Sequence, residues 1–128
     1  MEVLQKWHQA VQTKDIEILN EILAEDVVFY SPVVWSAQKG KEITKMYLTA
    51  ALHVIGGKDF KYEKEIVSNN QACLEFSTMI GAININGVDI ITVNDEGKII
   101  EFKVMVRPLK GMMALKDKMF ELMKIMNQ

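Results

Sequence analysis

An alternation of apolar and polar residues between positions 60 and 107 constrains the fold more than any other feature of this sequence. The alternating runs are rich in β-branched and aromatic residues, which is typical of strands that keep one face in water. Turn signals separate the runs at Asn69-Asn70, at Asn86-Gly87 and at residues 94–97. Asn-Gly favours a two-residue hairpin turn with positive φ, so we place a hairpin there. The region predicts a four-stranded antiparallel meander.

The first connection of this meander is constrained by parity. Phe60, Tyr62 and Ile66 alternate with charged residues, and the next apolar run begins near Leu74. Because a slip of one residue turns every side chain of a strand to the other face, the connection must contain an odd number of residues. We place it at Asn69–Gln71.

Apolar residues outside the meander recur at spacings of three and four, which indicates amphipathic helices. Val27–Tyr30 is β-branched and aromatic and stops before Pro32, so it predicts a short edge strand. The sequence therefore predicts one α+β domain over residues 1–128. The predicted helices lie around Leu4–Val11, Ile16–Leu23, Gly40–Ile55 and Met112–Met126.

Composition excludes several classes of function. A net charge of −2 indicates no attraction to nucleic acid or to an anionic membrane. No apolar run approaches the roughly 18 residues of a membrane span, and the polar N-terminal segment predicts no secretory leader. The single cysteine, Cys73, favours a reducing compartment, so we expect a cytoplasmic protein. Neither metal-ligand spacing nor a phosphate-binding glycine loop is present, so we expect no metal and no cofactor.

Asp89 is the polar residue that stands out. The predicted turns place it opposite Asn84 on one neighbouring strand and opposite Phe102 on the other. Apart from Asn84, the residues predicted for its face are apolar, so a carboxylate lies on the dry side of the predicted sheet. Those residues are Ile80, Ala82, Ile91, Ile100, Phe102, Val104 and Val106.

A carboxyl in such a place must be paired, hydrogen-bonded or neutral. Burial raises the pKa of a carboxyl, and a protonated carboxyl donates a hydrogen bond to a developing oxyanion or shuttles a proton. The structural alternative is that Asp89 only hydrogen-bonds Asn84, a helix terminus or a tyrosine hydroxyl. Asp89 is therefore the candidate catalytic residue.

Three segments of the chain resemble the nuclear transport factor 2-like superfamily, in its SnoaL-like and ketosteroid isomerase-like branch. They are LAEDVVFYSPVV, KGKEITKMY and GVDIITVNDEGKIIEF, and the order of predicted elements is similar as well. The resemblance implies a cone-shaped fold, in which a curved and mainly antiparallel sheet wraps around N-terminal helices. It also implies an apolar pocket and a homodimer.

Compared residue by residue, some positions match the family's catalytic residues and others do not. Asp89 matches the family's second oxyanion donor, and Tyr47 matches a supporting pocket tyrosine. Trp7 stands where the isomerases have a catalytic tyrosine, and Ser31 before Pro32 stands where they have the catalytic aspartate. These departures argue against ketosteroid isomerase activity itself. SnoaL-like cyclases use an aspartate at the position of Asp89 as acid or base in a ring-closing aldol step.

We therefore predict a domain that binds a small apolar molecule and, if it is an enzyme, transfers protons as isomerases or cyclases do. The alternative is a non-catalytic homodimer that pairs through the mixed outer face of the sheet, around Glu101 and Lys103. The methionine-rich last helix is a candidate lid, with core or dimer packing as the plainer alternative. The predicted ligand contacts are Trp7, Ser31, Tyr47, Asn84, Phe102 and Val104.

Overall fold

Four helices and six strands form the fold in the computed structural model, which describes residues 1–126. The helices are α1 (Glu2–Thr13), α2 (Glu17–Ile22), α3 (Lys41–Ile55) and α4 (Leu109–Met126). The strands are β1 (Leu23–Tyr30), β2 (Gln38–Lys39), β3 (Lys61–Ser68), β4 (Gln71–Ile80), β5 (Ile83–Val93) and β6 (Ile99–Arg107). None of the helices within this range is long and apolar enough to cross a membrane.

The strands form one curved, open sheet in the order β2-β1-β6-β5-β4-β3. All neighbours are antiparallel except β1 and β6, which run parallel. The predicted α+β class and the cone-like arrangement of sheet and helices are confirmed. The edge position predicted for Val27–Tyr30 is wrong, because β1 lies between β6 and the two-residue strand β2.

The predicted hairpin at Asn86-Gly87 is also wrong. Strand β5 runs through both residues without interruption, and the turn lies at Gly81-Ala82, between the paired Ile80 and Ile83. Gly81 has the positive φ, 59°, that this turn needs. Asn86 behaves as a strand residue, because its side-chain amide donates to the backbone carbonyl of Phe76 at 2.9 Å.

These shifts correct the predicted partners of Asp89 but not its face. Asp89 lies opposite Leu74 and Val104 instead of Asn84 and Phe102. The partner of Asp89 moves by ten residues on one neighbouring strand and by two on the other. Both shifts are even, and side-chain direction repeats every second residue. Asp89 is therefore on the buried face, with 6% of its surface exposed.

The predicted face has two further errors, at its ends. A register shift between Thr92 and Val93 turns Ile99 inward, fully buried, where Ile100 was expected. Ala82 lies exposed in the turn instead of on the inner face.

A β-bulge in β3 allows the inner faces of β3 and β4 to coincide across a turn with an even number of residues. The turn has two residues, Asn69 and Asn70, so the predicted odd-length connection is wrong. An extra residue between Tyr62 and Lys64 shifts the register, so that Tyr62 pairs with Phe76 on the inner face. Beyond the bulge, the side chains that would have faced the core point outward. Ile66, which was predicted to be inside, is 58% exposed.

Helix α4 closes one side of the core. It begins at Leu109, three residues before the predicted start, and packs against α3 and strands β4 to β6. Its apolar residues at spacings of three and four predict one buried stripe; Leu115, Met119 and Met123 are buried, whereas Met126 at the end of that stripe is exposed. The C-terminal helix thereby becomes part of the wall around the inner face of the sheet.

Candidate active site

Two hydrogen bonds connect helix α1, strand β3 and strand β5 at the inner face of the sheet. The indole Nε1 of Trp7 donates to the Tyr62 hydroxyl at 2.9 Å. The Tyr62 hydroxyl donates to Oδ2 of Asp89 at 2.6 Å, the short distance typical of a hydroxyl bound to a carboxylate. Among the side-chain hydrogen bonds of residues 1–126, Asp89 takes part through Oδ2 and not through its other carboxyl oxygen, Oδ1.

Burial governs the electrostatics of this pair. Desolvation raises the pKa of Asp89 to about 7, while the hydrogen bond from Tyr62 works in the opposite direction. The pKa of Tyr62 lies well above its ordinary value, first because the ring is buried and then because the negative charge of Asp89 is close. Near neutral pH, Asp89 therefore populates both its acid and its carboxylate form, as a proton shuttle requires.

Asp89 faces a small cavity of about 60 Å³ between the sheet and the helices. Most of its wall is apolar and comes from α1, α3, α4 and the sheet, with Leu48, Phe76 and Met119 as examples. The cavity has room for roughly four to six groups of the size of a water molecule. Its volume is far below the roughly 300–1,000 Å³ of pockets for drug-sized ligands. It accommodates only a small ligand as it stands.

Five of the six predicted ligand contacts line this cavity, and one does not. Asn84 is exposed on the outer face of β5, opposite Met79. It was expected beside Asp89 because a hairpin was placed between the two residues. In one continuous strand, residues five apart point to opposite faces. The residues that do line the cavity are Trp7, Ser31, Tyr47, Phe102 and Val104.

Three of these lining residues have polar side-chain atoms, and their contacts differ. The Trp7 N–H is occupied by Tyr62. Ser31 accepts hydrogen bonds from the backbone N–H groups of Val33 and Val34, so it shapes the loop after β1. The ring of Tyr47 stacks on Phe29, with ring centroids 5.1 Å apart.

Tyr62 is the site residue that sequence reasoning missed. Its alternation with Lys61 and Glu63 does place it on the inner face, and a tyrosine hydroxyl was among the structural partners considered for Asp89. Its assignment required the bulge in β3 and the true register of β4 against β5. Over the same described range, no cluster of three or more His, Cys, Asp or Glu side chains could hold a metal ion.

Comparison with known families decides the classification. The model of the SnoaL-like domain matches residues 4–102, which is most of the chain. The chain belongs to the SnoaL-like domain family. The matched range of this SnoaL-like domain contains Trp7, Tyr62 and Asp89 and ends before α4. Comparison with curated protein sequences gives no significant match.

Solved structures confirm the nuclear transport factor 2-like fold of this SnoaL-like domain. A steroid delta-isomerase from Pseudomonas aeruginosa is 32% identical, with a TM-score of 0.92 over 99% of this chain and 93% of that chain. An uncharacterised protein with a cystatin-like fold from Silicibacter pomeroyi is 29% identical, with a TM-score of 0.86 over 93% of this chain and 83% of that one. An NTF2-like protein of unknown function from Mesorhizobium loti is 21% identical and shares the fold, with a TM-score of 0.72 over 84% and 89% of the two chains.

Proposed function

We propose that this domain binds a small apolar carbonyl compound in the Asp89 cavity and transfers a proton to or from it through Asp89. The observation that carries the proposal is a buried carboxyl with one oxygen held by Tyr62 and the other left to an apolar cavity. The 32% identity to a protein described as a steroid delta-isomerase supports proton transfer next to a carbonyl group.

The chemistry follows from the two forms of Asp89. As a carboxylate, Oδ1 takes a proton from the carbon next to a carbonyl group, and the electron pair of the C–H bond moves toward the carbonyl oxygen. As an acid, the same oxygen returns the proton to carbon or gives it to the developing oxyanion. Tyr47, which lines the same cavity, supplies a second donor through its hydroxyl.

A steroid is not the substrate we propose. Ser31 occupies the position at which the resembling isomerases carry their catalytic aspartate, and a serine without a basic partner does not remove protons from carbon. The cavity of about 60 Å³ is also too small for a fused ring system. A short-chain or single-ring ketone or aldehyde fits these limits.

Deuterium exchange at the carbon next to the carbonyl tests the proposal without knowledge of the natural substrate. Cyclopentanone and 2-butanone in D₂O, followed by proton NMR, are expected to exchange faster with the protein than in buffer. Asp89→Asn is expected to lower the protein-dependent rate by at least about 100-fold, the lower range for general acid–base catalysis. Asp95→Asn, in the exposed β5–β6 turn, is the matched control and should keep the full rate. Equal exchange by wild type and Asp89→Asn would contradict the proposal.

One observation favours the second candidate, a homodimer. Trp35, in the loop between β1 and β2, is 99% exposed, and Met105 on the outer face of β6 is 50% exposed. Both line a surface groove together with Tyr30 and Lys103. Large apolar side chains grouped at the surface are typical of an interaction site, and a second copy of the chain is the partner we propose for it.

A further inference from the structure

Resting on the proton transfer proposed above, we propose that Trp7 is a positioning residue. Its N–H fixes the direction of the Tyr62–Asp89 hydrogen bond and so makes Oδ1 of Asp89 the atom that exchanges the proton. Trp7 was predicted to contact the ligand directly. Trp7 does line the cavity, and its side-chain N–H is bound to Tyr62.

The direction follows from which groups are able to donate. An indole N–H donates and never accepts, so the Tyr62 oxygen must be the acceptor in the bond to Trp7. The single hydrogen of the Tyr62 hydroxyl then remains, and Oδ2 of Asp89 lies 2.6 Å away to receive it. With Oδ2 accepting, a proton on Asp89 resides on Oδ1, at the cavity.

Without Trp7 a reversed arrangement becomes available. The acid form of Asp89 would place its proton on Oδ2 and donate to the Tyr62 oxygen, which would turn its own hydrogen elsewhere. Oδ1 would then have no proton to give to a ligand. The Trp7 N–H opposes this arrangement, because it occupies the acceptor side of the Tyr62 oxygen at 2.9 Å.

The surrounding packing holds Trp7 in place for this role. The indole is 3% exposed and packs edge-on against Phe102, with ring centroids 5.0 Å apart. The charged groups near Tyr62 are Asp89 on the inner side and Glu65 on its own strand, and Glu65 is paired with His8 of α1 at 2.6 Å. Because the Tyr62 hydroxyl accepts from Trp7 and donates to Asp89, Trp7 acts on Asp89 through Tyr62.

Carboxyl-carbon NMR of Asp89 in the ligand-free protein tests this inference from pH 4 to pH 9. Tyr62→Phe removes a hydrogen bond to the carboxylate and is expected to move the Asp89 midpoint upward by roughly one pH unit. Trp7→Phe is expected to move it in the same direction by a few tenths of a pH unit, since Tyr62 becomes a weaker donor. The double variant should match Tyr62→Phe alone, because Trp7 has no effect on Asp89 except through Tyr62.

A midpoint unchanged in Trp7→Phe, or shifts that add in the double variant, would overturn the inference. Should Trp7→Phe fail to fold, benzothienylalanine at position 7 removes the N–H and keeps the bicyclic ring. Leu109→Ala, at an exposed position outside the Asp89 cavity, is the control and should leave the midpoint in place. The titration needs no substrate, so it distinguishes failure here from failure of the proposed activity, which only the deuterium exchange reports.

Discussion

The ring of Phe76 lies directly over Gly87, its partner on the neighbouring strand. A Cβ atom built on Gly87 would come within 2.5 Å of Phe76 Cζ and 2.6 Å of the Met105 backbone oxygen. A glycine is therefore required at position 87 because there is no room for a side chain, and not because the chain turns there. Since Phe76 lines the Asp89 cavity, this contact also sets one wall of the site.

Gly87→Ala is expected to destabilise the protein by about 2–3 kcal/mol, because neither a strand backbone nor a buried ring can move aside without strain. The change in the free energy of unfolding is measured by urea denaturation. Gly57→Ala is the matched control, because a Cβ there meets nothing within 4 Å and its φ is not positive. Equal stability of the two variants would show that Phe76 repacks freely.

The raised pKa of Asp89 makes stability depend on pH. The folded state holds the proton up to about pH 7, whereas the unfolded chain releases it near pH 4. Unfolding therefore releases a proton within this window, and the contribution of Asp89 to the free energy of unfolding falls as pH rises from 4 to 7. The loss is on the order of 4 kcal/mol and is complete above pH 7.

Asp89→Asn removes this dependence. Its stability relative to wild type is expected to increase from pH 4.5 to pH 8, as measured by urea midpoints at several pH values. Asp26→Asn, at an exposed position, should keep the wild-type slope. A wild-type slope retained in Asp89→Asn would contradict the assigned titration.

Met119 is expected to limit the size of the ligand. It is buried on α4 and lines the cavity, so Met119→Ala should enlarge the cavity at a cost of about 2–4 kcal/mol in stability. In the deuterium exchange assay, the variant should improve the rate for cyclohexanone relative to cyclopentanone. Met126→Ala, at an exposed position on the same helix, should leave this ratio unchanged. An unaltered ratio in Met119→Ala would place the size limit elsewhere.

The homodimer proposal predicts that Trp35→Ser and Lys103→Glu each raise the dimer dissociation constant by tenfold or more. Loss of a large buried aromatic at an interface commonly costs 2 kcal/mol or more. Sedimentation equilibrium measures the effect. Ile66→Ser removes an exposed apolar side chain from β3, at the opposite edge of the sheet, and should have no effect. A monomeric wild type at high concentration would reject the proposal.

Periodicity in the sequence was sufficient for the class of the fold and for the order of its main elements. It was also sufficient for the face of Asp89, since even errors of register preserve side-chain direction. It misplaced the turn at Asn86-Gly87, because a glycine needed under a ring looks the same in sequence as a glycine needed for positive φ. It also missed the role of Tyr62, because a bulge is a property of the paired backbone and has no residue pattern of its own.

The family match ends before α4, which supplies part of the cavity wall. Trp7, Tyr62 and Asp89 lie within residues 4–102, whereas Leu115 and Met119 come from α4, beyond that range. The proton-handling residues and the part of the cavity wall that α4 supplies are thus encoded in separate stretches of the gene. Variation confined to the last helix would let descendants of this chain exchange one ligand for another while inheriting the same acid.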